Sequence, residues 1–220
     1  NIVGIIPVKE SFPDINNIPF LKHEGKTLLE IAIEGAYKSE TLTNLVISGG
    51  NQKTLDFAKN VAKNLNYRNL ILDKRSKDEL INSEGVPTLD LMKKAGELFK
   101  NKNAKYPDII IFLNLHAFHR KSEDIKQSIS LLKLTNSDSV VSVNKERKPI
   151  FKYGTYGLDI LNEGRLSDIS LQREILFSYE GSIIATWWDI LQENKIFGEK
   201  ITPLEIFPKN DILSIKNLKA

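Results

Sequence analysis

The 220 residues contain no cysteine, so the chain can form neither a disulfide framework nor a thiolate metal site. Its three histidines lack the H-x-x-x-H spacing that is typical of a zinc-binding helix. The most apolar run, around residues 109–113, is far shorter than the roughly 20 residues that a membrane-spanning helix needs. Residues 1–8 carry no basic leader or cleavage signal, so we expect no signal peptide. These absences favour a cytoplasmic protein without a membrane partner.

Strong charge of one sign is also missing. The chain has 31 basic and 28 acidic residues, which leaves a formal net charge of +3. The basic residues are spread along the sequence and form no stripe with interleaved aromatic residues. We therefore expect a lysine-rich solvated surface and no nucleic-acid partner.

What the sequence does have is a regular alternation of two patterns. Apolar runs that are typical of buried strands lie at residues 2–8, 45–48, 69–72, 108–115 and 139–143. Helical periodicity lies between them, at residues 27–38, 55–65, 87–99 and 122–134, with Ser122 as the expected N-cap of the last helix and Asp124 near its positive end. This alternation predicts one three-layer α/β domain over residues 1–220, built on a mostly parallel sheet.

The rhythm changes after Pro149. Short strand-like pieces at residues 150–153, 156–160 and 182–186 are separated by glycines, which predicts an antiparallel insertion over about residues 150–190. We expect a short helix at residues 187–192 and final strands near residues 203–207 and 212–215. Trp187 and Trp188 are interpreted as packing residues rather than as a platform for a sugar.

Ligands of such sheets bind beyond the carboxyl ends of the strands, where the strand order reverses. The loops that follow Val8, Ser48 and Asn114 are therefore the expected place of the functional site.

Four ordered stretches carry a resemblance to a known family. They are IIPVKES with NNIP, LVIS before Gly49-Gly50, ELINSEGVPTLD, and DIIIFLNLHAFHR with SEDI, the last continuing into DSVVSV. In this order they resemble the acylneuraminate and related ulosonic acid cytidylyltransferases. The segment EGSI at residues 180–183 lies where that family has N-G-A-I.

The resemblance implies a nucleotide-diphospho-sugar transferase-like fold and transfer of CMP from CTP to an acidic sugar of the ulosonic or sialic type, in surface-polysaccharide synthesis. It also implies Mg²⁺ as cofactor and a homodimer whose contact uses the insertion. A sugar hydroxyl attacks the α-phosphate while pyrophosphate leaves, so the protein mainly positions groups and neutralises charge.

The nucleotide site that the resemblance implies starts at the first loop. Lys9 lies where the family has its leading arginine, while Glu10 and Ser11 replace two glycines, and the glutamate would repel a triphosphate. The implied nucleotide contacts are Lys9, Ser11, Asn17, Ser48, Gly49, Ser83 and Thr88. The alternative for the first loop is a polar connection without a ligand.

The implied sugar contacts are Asn114, His116, His119, Arg120 and Arg173. Lys9 and Arg120 are the candidate catalytic residues; Arg120 could bind a sugar carboxylate bidentately or form a surface salt bridge with Glu123 or Asp124. His116 and His119 could be substrate contacts or general bases, or could have a structural role.

The metal site rests on one match near the C-terminus. The family's D-I-D segment is best matched by Asp211-Ile212-Leu213, with Asn217 further on where another carboxylate is usual. Asp211 is thus the implied Mg²⁺ ligand, and its alternative is a solvated surface aspartate. Leucine offers no oxygen ligand, so metal-assisted catalysis is expected to be impaired.

Two other functions stay open. One is a catalytically weak relative that binds a nucleotide or nucleotide-sugar, or that serves as a partner subunit. The other is a glycosyltransferase of the related fold, but that class usually holds its metal through a D-x-D, which this sequence lacks.

Overall fold

In the computed structural model, residues 1–11, 14–76, 87–146, 148–162, 175–206 and 218 are described. The strands are β1 Ile2–Val8, β2 Lys22–His23, β3 Lys26–Thr27, β4 Asn44–Gly49, β5 Leu70–Lys74, β6 Ile109–Leu113, β7 Ser139–Glu146, β8 Phe151–Gly154, β9 Gly157–Ile160, β10 Leu176–Trp187 and β11 Ile201–Glu205. The helices are α1 Leu28–Lys38, α2 Gln52–Asn64, α3 Thr88–Asn103, α4 Ser122–Leu134 and α5 Trp188–Gln192, with one turn of 3₁₀ helix at Ile18–Phe20.

A seven-stranded sheet runs through the molecule in the order β5-β4-β1-β6-β10-β7-β11. The pairs β5–β4, β4–β1, β1–β6 and β7–β11 are parallel, whereas β10 is antiparallel to both β6 and β7. The predicted mostly parallel sheet is therefore confirmed. The strand order reverses at β1, which has β4 on one side and β6 on the other.

Helices cover both faces of this sheet, as the predicted three-layer arrangement requires. Along β1, Ile6 and Val8 pack with α1, α2 and α4, while Val3 and Ile5 pack with α3 and α5. Successive side chains of a strand point to opposite faces, so an uninterrupted apolar strand has to be covered on both. The continuous apolar runs of the sequence thus specify two cores, one on each face.

Helix starts follow from local hydrogen bonds. Thr27 caps α1: its Oγ1 accepts from the Glu30 amide at 3.2 Å, and the Glu30 carboxylate accepts from the Thr27 amide at 2.7 Å. In α4 the expectation that Ser122 is the N-cap is wrong, since Lys121 holds that position. The Lys121 amide donates to Asp124 at 2.7 Å, so this carboxylate, near the positive helix end, satisfies the backbone amide of the N-cap residue.

The predicted insertion is present in a different form. β8 and β9 make a separate antiparallel hairpin, and β10 runs for 12 residues instead of the five predicted at residues 182–186. The additional part of β10 pairs Leu176 to Tyr179 with the end of β7, and the register shifts between Tyr179 and Ile184. This part of β10 alternates between exposed and half-buried residues, so it lacks the continuous apolar run that is typical of a buried strand. The strand expected at residues 212–215 lies outside the described residues.

β5 forms one outer edge of the sheet. The Leu45 amide donates to the Asn69 carbonyl at 2.9 Å, and the Arg75 amide donates to the Gly49 carbonyl at 2.9 Å. Parallel strands use alternate residues toward one neighbour, so the backbone groups of Leu70, Leu72 and Lys74 point away from β4.

Helices α3 and α5 cover the face of the sheet to which Val3 and Ile5 point, and they meet at a glycine. Trp188 is 6% exposed, and a Cβ placed on Gly96 of α3 would overlap its ring. The same ring stacks on Tyr106 with centroids 4.9 Å apart. Trp188 therefore packs in the core, as the sequence interpretation held.

Gly96→Ala is expected to destabilise the fold by about 1–3 kcal/mol, because the gain in helix propensity is outweighed by collision with a buried ring. Gly35→Ala in α1 is the matched control: a Cβ there meets nothing within 4 Å, so stability should rise by about 0.5–1 kcal/mol. Urea unfolding of both variants measures the difference. Equal effects of the two substitutions would contradict the packing described for Trp188.

Candidate functional site

The three strand ends that the sequence singled out lie side by side. In the sheet register Val8 is opposite Gly49, and Ile5 of β1 is opposite Phe112 of β6. Because β1, β4 and β6 run in the same direction, the loops after Val8, Ser48 and Asn114 leave from one edge. This part of the prediction is confirmed. β10 enters the sheet at the same edge, with Ile183 opposite Leu113.

The first loop leaves β1 with an exposed lysine and then closes on itself. Lys9 and Ser11 are exposed, and the Ile18 amide donates to the Glu10 carbonyl at 3.0 Å. Asn17 is exposed and left-handed (φ 54°), a conformation that asparagine tolerates, and it precedes the 3₁₀ turn. The loop thus presents Lys9, Ser11 and Asn17 to solvent at this edge.

The Glu10 side chain is turned toward α2. Thr54 Oγ1 donates to Glu10 Oε2 at 3.1 Å, and Thr54 is in the first turn of α2, where the helix dipole favours negative charge. Burial raises the pKa of Glu10, while the Thr54 hydrogen bond and the charge of Arg75 act to lower it. The sequence expectation placed this carboxylate against a triphosphate; the structure gives it partners of its own at the same edge.

Arg75 is a residue that sequence reasoning missed. It directly follows β5; its amide donates to the Gly49 carbonyl at 2.9 Å, and its guanidinium donates to the Val8 carbonyl. It therefore bridges the ends of β1 and β4 and brings a second cation close to Lys9. The signal that could have found it is the strand order, since in a sheet of this type the strand after β4 is added outside it and ends at the same edge.

At the second loop, Ser48 is committed to a buried polar chain. Ser48 is fully buried, and its Oγ donates to Asp73 Oδ2 at 2.7 Å. Asp73 also pairs with Lys94 of α3, Nζ to Oδ1 at 3.1 Å. This chain ties β4, β5 and α3 together just below the edge. Gly49 lies next to it and is also buried.

The third loop is held by Asn114. Its amide group donates to the Gly181 carbonyl at 3.2 Å, and its Oδ1 accepts from the His116 amide at 3.0 Å. The Asn114 backbone amide bonds to the Ser182 carbonyl at 3.0 Å. Asn114 therefore shapes the turn and joins it to β10; its predicted contact with a sugar stays a prediction.

Arg120 is hydrogen-bonded to the main chain of the same turn. Only 7% of it is exposed, and Nη1 donates to the carbonyls of Asn114 at 2.8 Å and Ser182 at 3.1 Å. Burial lowers the pKa of Arg120 to about 10, and the charges of Glu180 and Asp124 oppose that shift. Arg120 is thus neither on the surface nor directed mainly at Asp124, and two of its hydrogen bonds go to the main chain. Its predicted sugar contact and catalytic role remain predictions.

The two loop histidines have different surroundings. Burial, with the nearby charge of Lys9, lowers the pKa of His116 to about 4. The His119 ring packs at a tilt against Phe118, with centroids 4.1 Å apart, and its centroid lies 5.3 Å from that of the His23 ring. Burial and then the charge of His23 lower its pKa, while Glu24 raises it. The charge of Lys9, in the first loop, thus acts on His116, in the third.

The remaining predicted residues divide into two groups. Thr88 is half-buried at the first position of α3. Ser83, Arg173 and Asp211 lie outside the described residues, as do Leu213 and Asn217.

Within the described part, no group of three or more His, Asp or Glu side chains could hold a metal ion. None of the helices in the described ranges is long and apolar enough to cross a membrane.

Comparison with known proteins gives similarity at the level of structure only. No family model matches the chain, and a search of curated proteins finds no match. Among solved structures, the chain is similar to CMP:2-keto-3-deoxy-manno-octonic acid synthetase complexed with CTP, at 12% identity, with 98% of this chain and 95% of the other covered and a TM-score of 0.63.

Two further structures are similar. One is 4-diphosphocytidyl-2C-methyl-D-erythritol synthase from Anaerococcus prevotii, with 12% identity, 98% and 93% coverage and a TM-score of 0.59. The other is the bifunctional IspDF from Campylobacter jejuni, with 13% identity, 98% of this chain but 52% of the other covered, and a TM-score of 0.62. The chain thus has the α/β fold of these three structures, which confirms the predicted nucleotide-diphospho-sugar transferase-like fold class.

His116 should make stability depend on pH. Its folded pKa of about 4 lies below the ordinary histidine value of 6.5, so the unfolded chain binds the proton more readily. The free energy of unfolding is therefore not reduced by His116 above about pH 6.5. It falls as the pH drops toward 4, by at most about 3 kcal/mol. His116→Asn should lose this part of the pH dependence in urea unfolding between pH 7 and 4. The same slope in both proteins would contradict the burial described.

Proposed function

We propose that the protein is a nucleotidyltransferase that uses CTP and transfers CMP to an acidic sugar of the ulosonic or sialic type, releasing pyrophosphate. The observation that carries the proposal is the convergence of Lys9 and Arg75 on one sheet edge, in a fold shared with a synthetase solved in complex with CTP. The motifs described above support the choice of an acidic sugar.

The phosphates would lie at the ends of β1 and β4. α2 begins there, capped by Asn51, whose side chain accepts from the Lys53 amide at 3.0 Å. The start of a helix favours an anion through its backbone amides and dipole. Lys9 and Arg75 add two cations, which would neutralise charge that develops as the α-phosphorus is attacked and pyrophosphate leaves. The other nucleotide contacts, Ser11, Asn17, Ser48, Gly49, Ser83 and Thr88, stay proposals, and of these Ser48 is fully buried and bonded to Asp73.

The sugar would lie over the third loop. Lys9 and His116 interact electrostatically across the gap between the first and third loops, so a sugar above His116 and His119 would be close to the phosphates. With a pKa of about 4, His116 is neutral near pH 7, where it could exchange a hydrogen bond with a sugar hydroxyl but would be a weak general base. Arg120, the proposed contact for the sugar carboxylate, also positions Asn114, and Arg173 stays a further proposed sugar contact.

Mg²⁺ is the proposed cofactor, with Asp211 as its proposed ligand. When bound to a triphosphate, Mg²⁺ neutralises charge on the phosphate oxygens. The described residues do not supply a cluster that would hold it, so no step is assigned to the ion here.

The alternative is a catalytically weak relative that binds a nucleotide or nucleotide-sugar, or a partner subunit. The substitution of Leu213 and Asn217 for carboxylates favours it, as does Glu10 beside the proposed phosphate site. The two functions share the binding site and differ in turnover.

CTP should stabilise the protein in a thermal-shift screen with and without Mg²⁺, more than UTP, ATP or GTP does. At about a hundredfold excess over Kd the stabilisation is roughly 2.7 kcal/mol. Lack of stabilisation by any cytidine nucleotide would overturn the proposed function.

Pyrophosphate release from CTP, Mg²⁺ and a panel of ulosonic acids should be slow, by about a hundredfold or more relative to a cytidylyltransferase with an intact phosphate loop and metal site. Asp211→Asn should lower it further. Rapid release that this substitution leaves unchanged would show that the metal site is elsewhere, and no release beside clear CTP binding would favour the weak relative.

We also propose a homodimer that uses the insertion. Phe151, Tyr153, Tyr156, Phe177 and Tyr179 are 51%, 91%, 102%, 45% and 60% exposed, so none of them fills a core. An apolar groove of about 260 Å³ on the sheet surface, lined in part by Phe177, Tyr179, Phe197 and Ile201, continues this surface. Aromatic residues of this kind commonly anchor interfaces.

Sedimentation at micromolar concentration should therefore show a dimer. Phe177→Glu should shift it toward monomer, whereas Leu134→Glu, on α4 and 84% exposed, should not. A wild-type protein that sediments as a monomer would contradict the proposed dimer.

A further inference from the structure

We propose that Glu10 determines which nucleotide the edge accepts: its carboxylate competes with the outer phosphates of CTP, so the site favours CMP and CMP esters over the triphosphate. This inference rests on the proposed function, because it concerns the same site.

Glu10 is held at the start of α2, where the proposed function places the phosphates. Its backbone is fixed by the hydrogen bond from Ile18, and its Oε2 accepts from Thr54 in the first turn of α2. A 13-residue helix with its positive end at this point offers an anion both a dipole and a hydroxyl donor. The carboxylate thus already uses features that would serve a ligand's phosphate.

The charge at this edge follows from the same contacts. Arg75 attracts the Glu10 carboxylate, and Lys9 precedes it in the chain. One negative charge therefore offsets part of the field of two cations. A monophosphate can still be balanced by what remains, but each added phosphate brings further negative charge close to a half-buried carboxylate. Salt screens such a partly buried repulsion less than it screens an exposed pair.

Only one of the two carboxylate oxygens of Glu10 has a hydrogen-bond partner among the described residues. Oε1 is closed off from solvent and accepts no hydrogen bond within the described residues. An ionised carboxylate can accept several hydrogen bonds, so leaving one oxygen without any costs free energy. The carboxylate thus keeps acceptor capacity beside Lys9 and Arg75, where its charge affects every anionic ligand that approaches these cations.

Isothermal titration of wild type, Glu10→Gln and Glu40→Gln with CMP and with CTP tests the inference. Wild type should bind CMP at least as tightly as CTP. Glu10→Gln should tighten CTP binding by about tenfold and CMP binding by about threefold or less, the size expected for one partly screened charge. Glu40 lies between α1 and β4, at the opposite edge of the sheet, so Glu40→Gln should change both affinities by less than about twofold.

Each outcome decides between the proposals. If Glu10→Gln changes CMP and CTP affinity equally, weakens both, or if wild type prefers CTP, the inference about Glu10 is wrong while the proposed function stands. If neither nucleotide binds to wild type or to the variant, the proposed function fails first. Because the wild-type preference is measured without any substitution, the test does not depend on the variant folding.

Discussion

The two-sided pairing of β1 is the constraint on which the rest of the structure depends. β1 is hydrogen-bonded to β4 and β6, and its alternate side chains enter both cores. A strand that is paired on both sides and covered on both faces is not exposed to solvent, so its side chains have to be apolar. It ends at Val8, and the Val8 carbonyl receives the guanidinium of Arg75. The position of the Arg75 guanidinium is thus a consequence of where the central strand ends.

Much of the fold could be predicted because its signals are local. α4 begins and ends at the predicted residues, since an apolar stripe and an acidic first turn both lie within the segment itself. β10 was predicted too short for the opposite reason. Its first half is stabilised by pairing with the end of β7, and Leu176 is opposite Glu146, 30 residues earlier in the chain. The hydrophobicity of residues 176–179 alone does not indicate that they pair with a strand so far away in sequence.

The site could be predicted at the level of loops but not of contacts. The carboxyl ends of β1, β4 and β6 follow from topology, and the loops did converge there. Which side chains remain available is decided by partners far away in sequence: Ser48 is bound by Asp73, and Arg120 by the carbonyl of Ser182, 62 residues later. For Glu10 the sequence indicated a charge beside the ligand, but it did not indicate the hydrogen bond from Thr54, which is 44 residues away. A polar residue in a loop therefore indicates a site without indicating its own role in it.

The outer edge of β5 has a consequence for the motions of the sheet. Toward β4 the strand uses the backbone groups of odd-numbered residues, and those of Leu70, Leu72 and Lys74 face outward. Exchange of amide hydrogen with solvent should therefore alternate along one five-residue strand, rapid at the even positions and slow at Ile71 and Asp73. Since Ile71 and Asp73 open only when β5 separates from β4, their exchange rate reports how often the strand that carries Arg75 leaves the sheet.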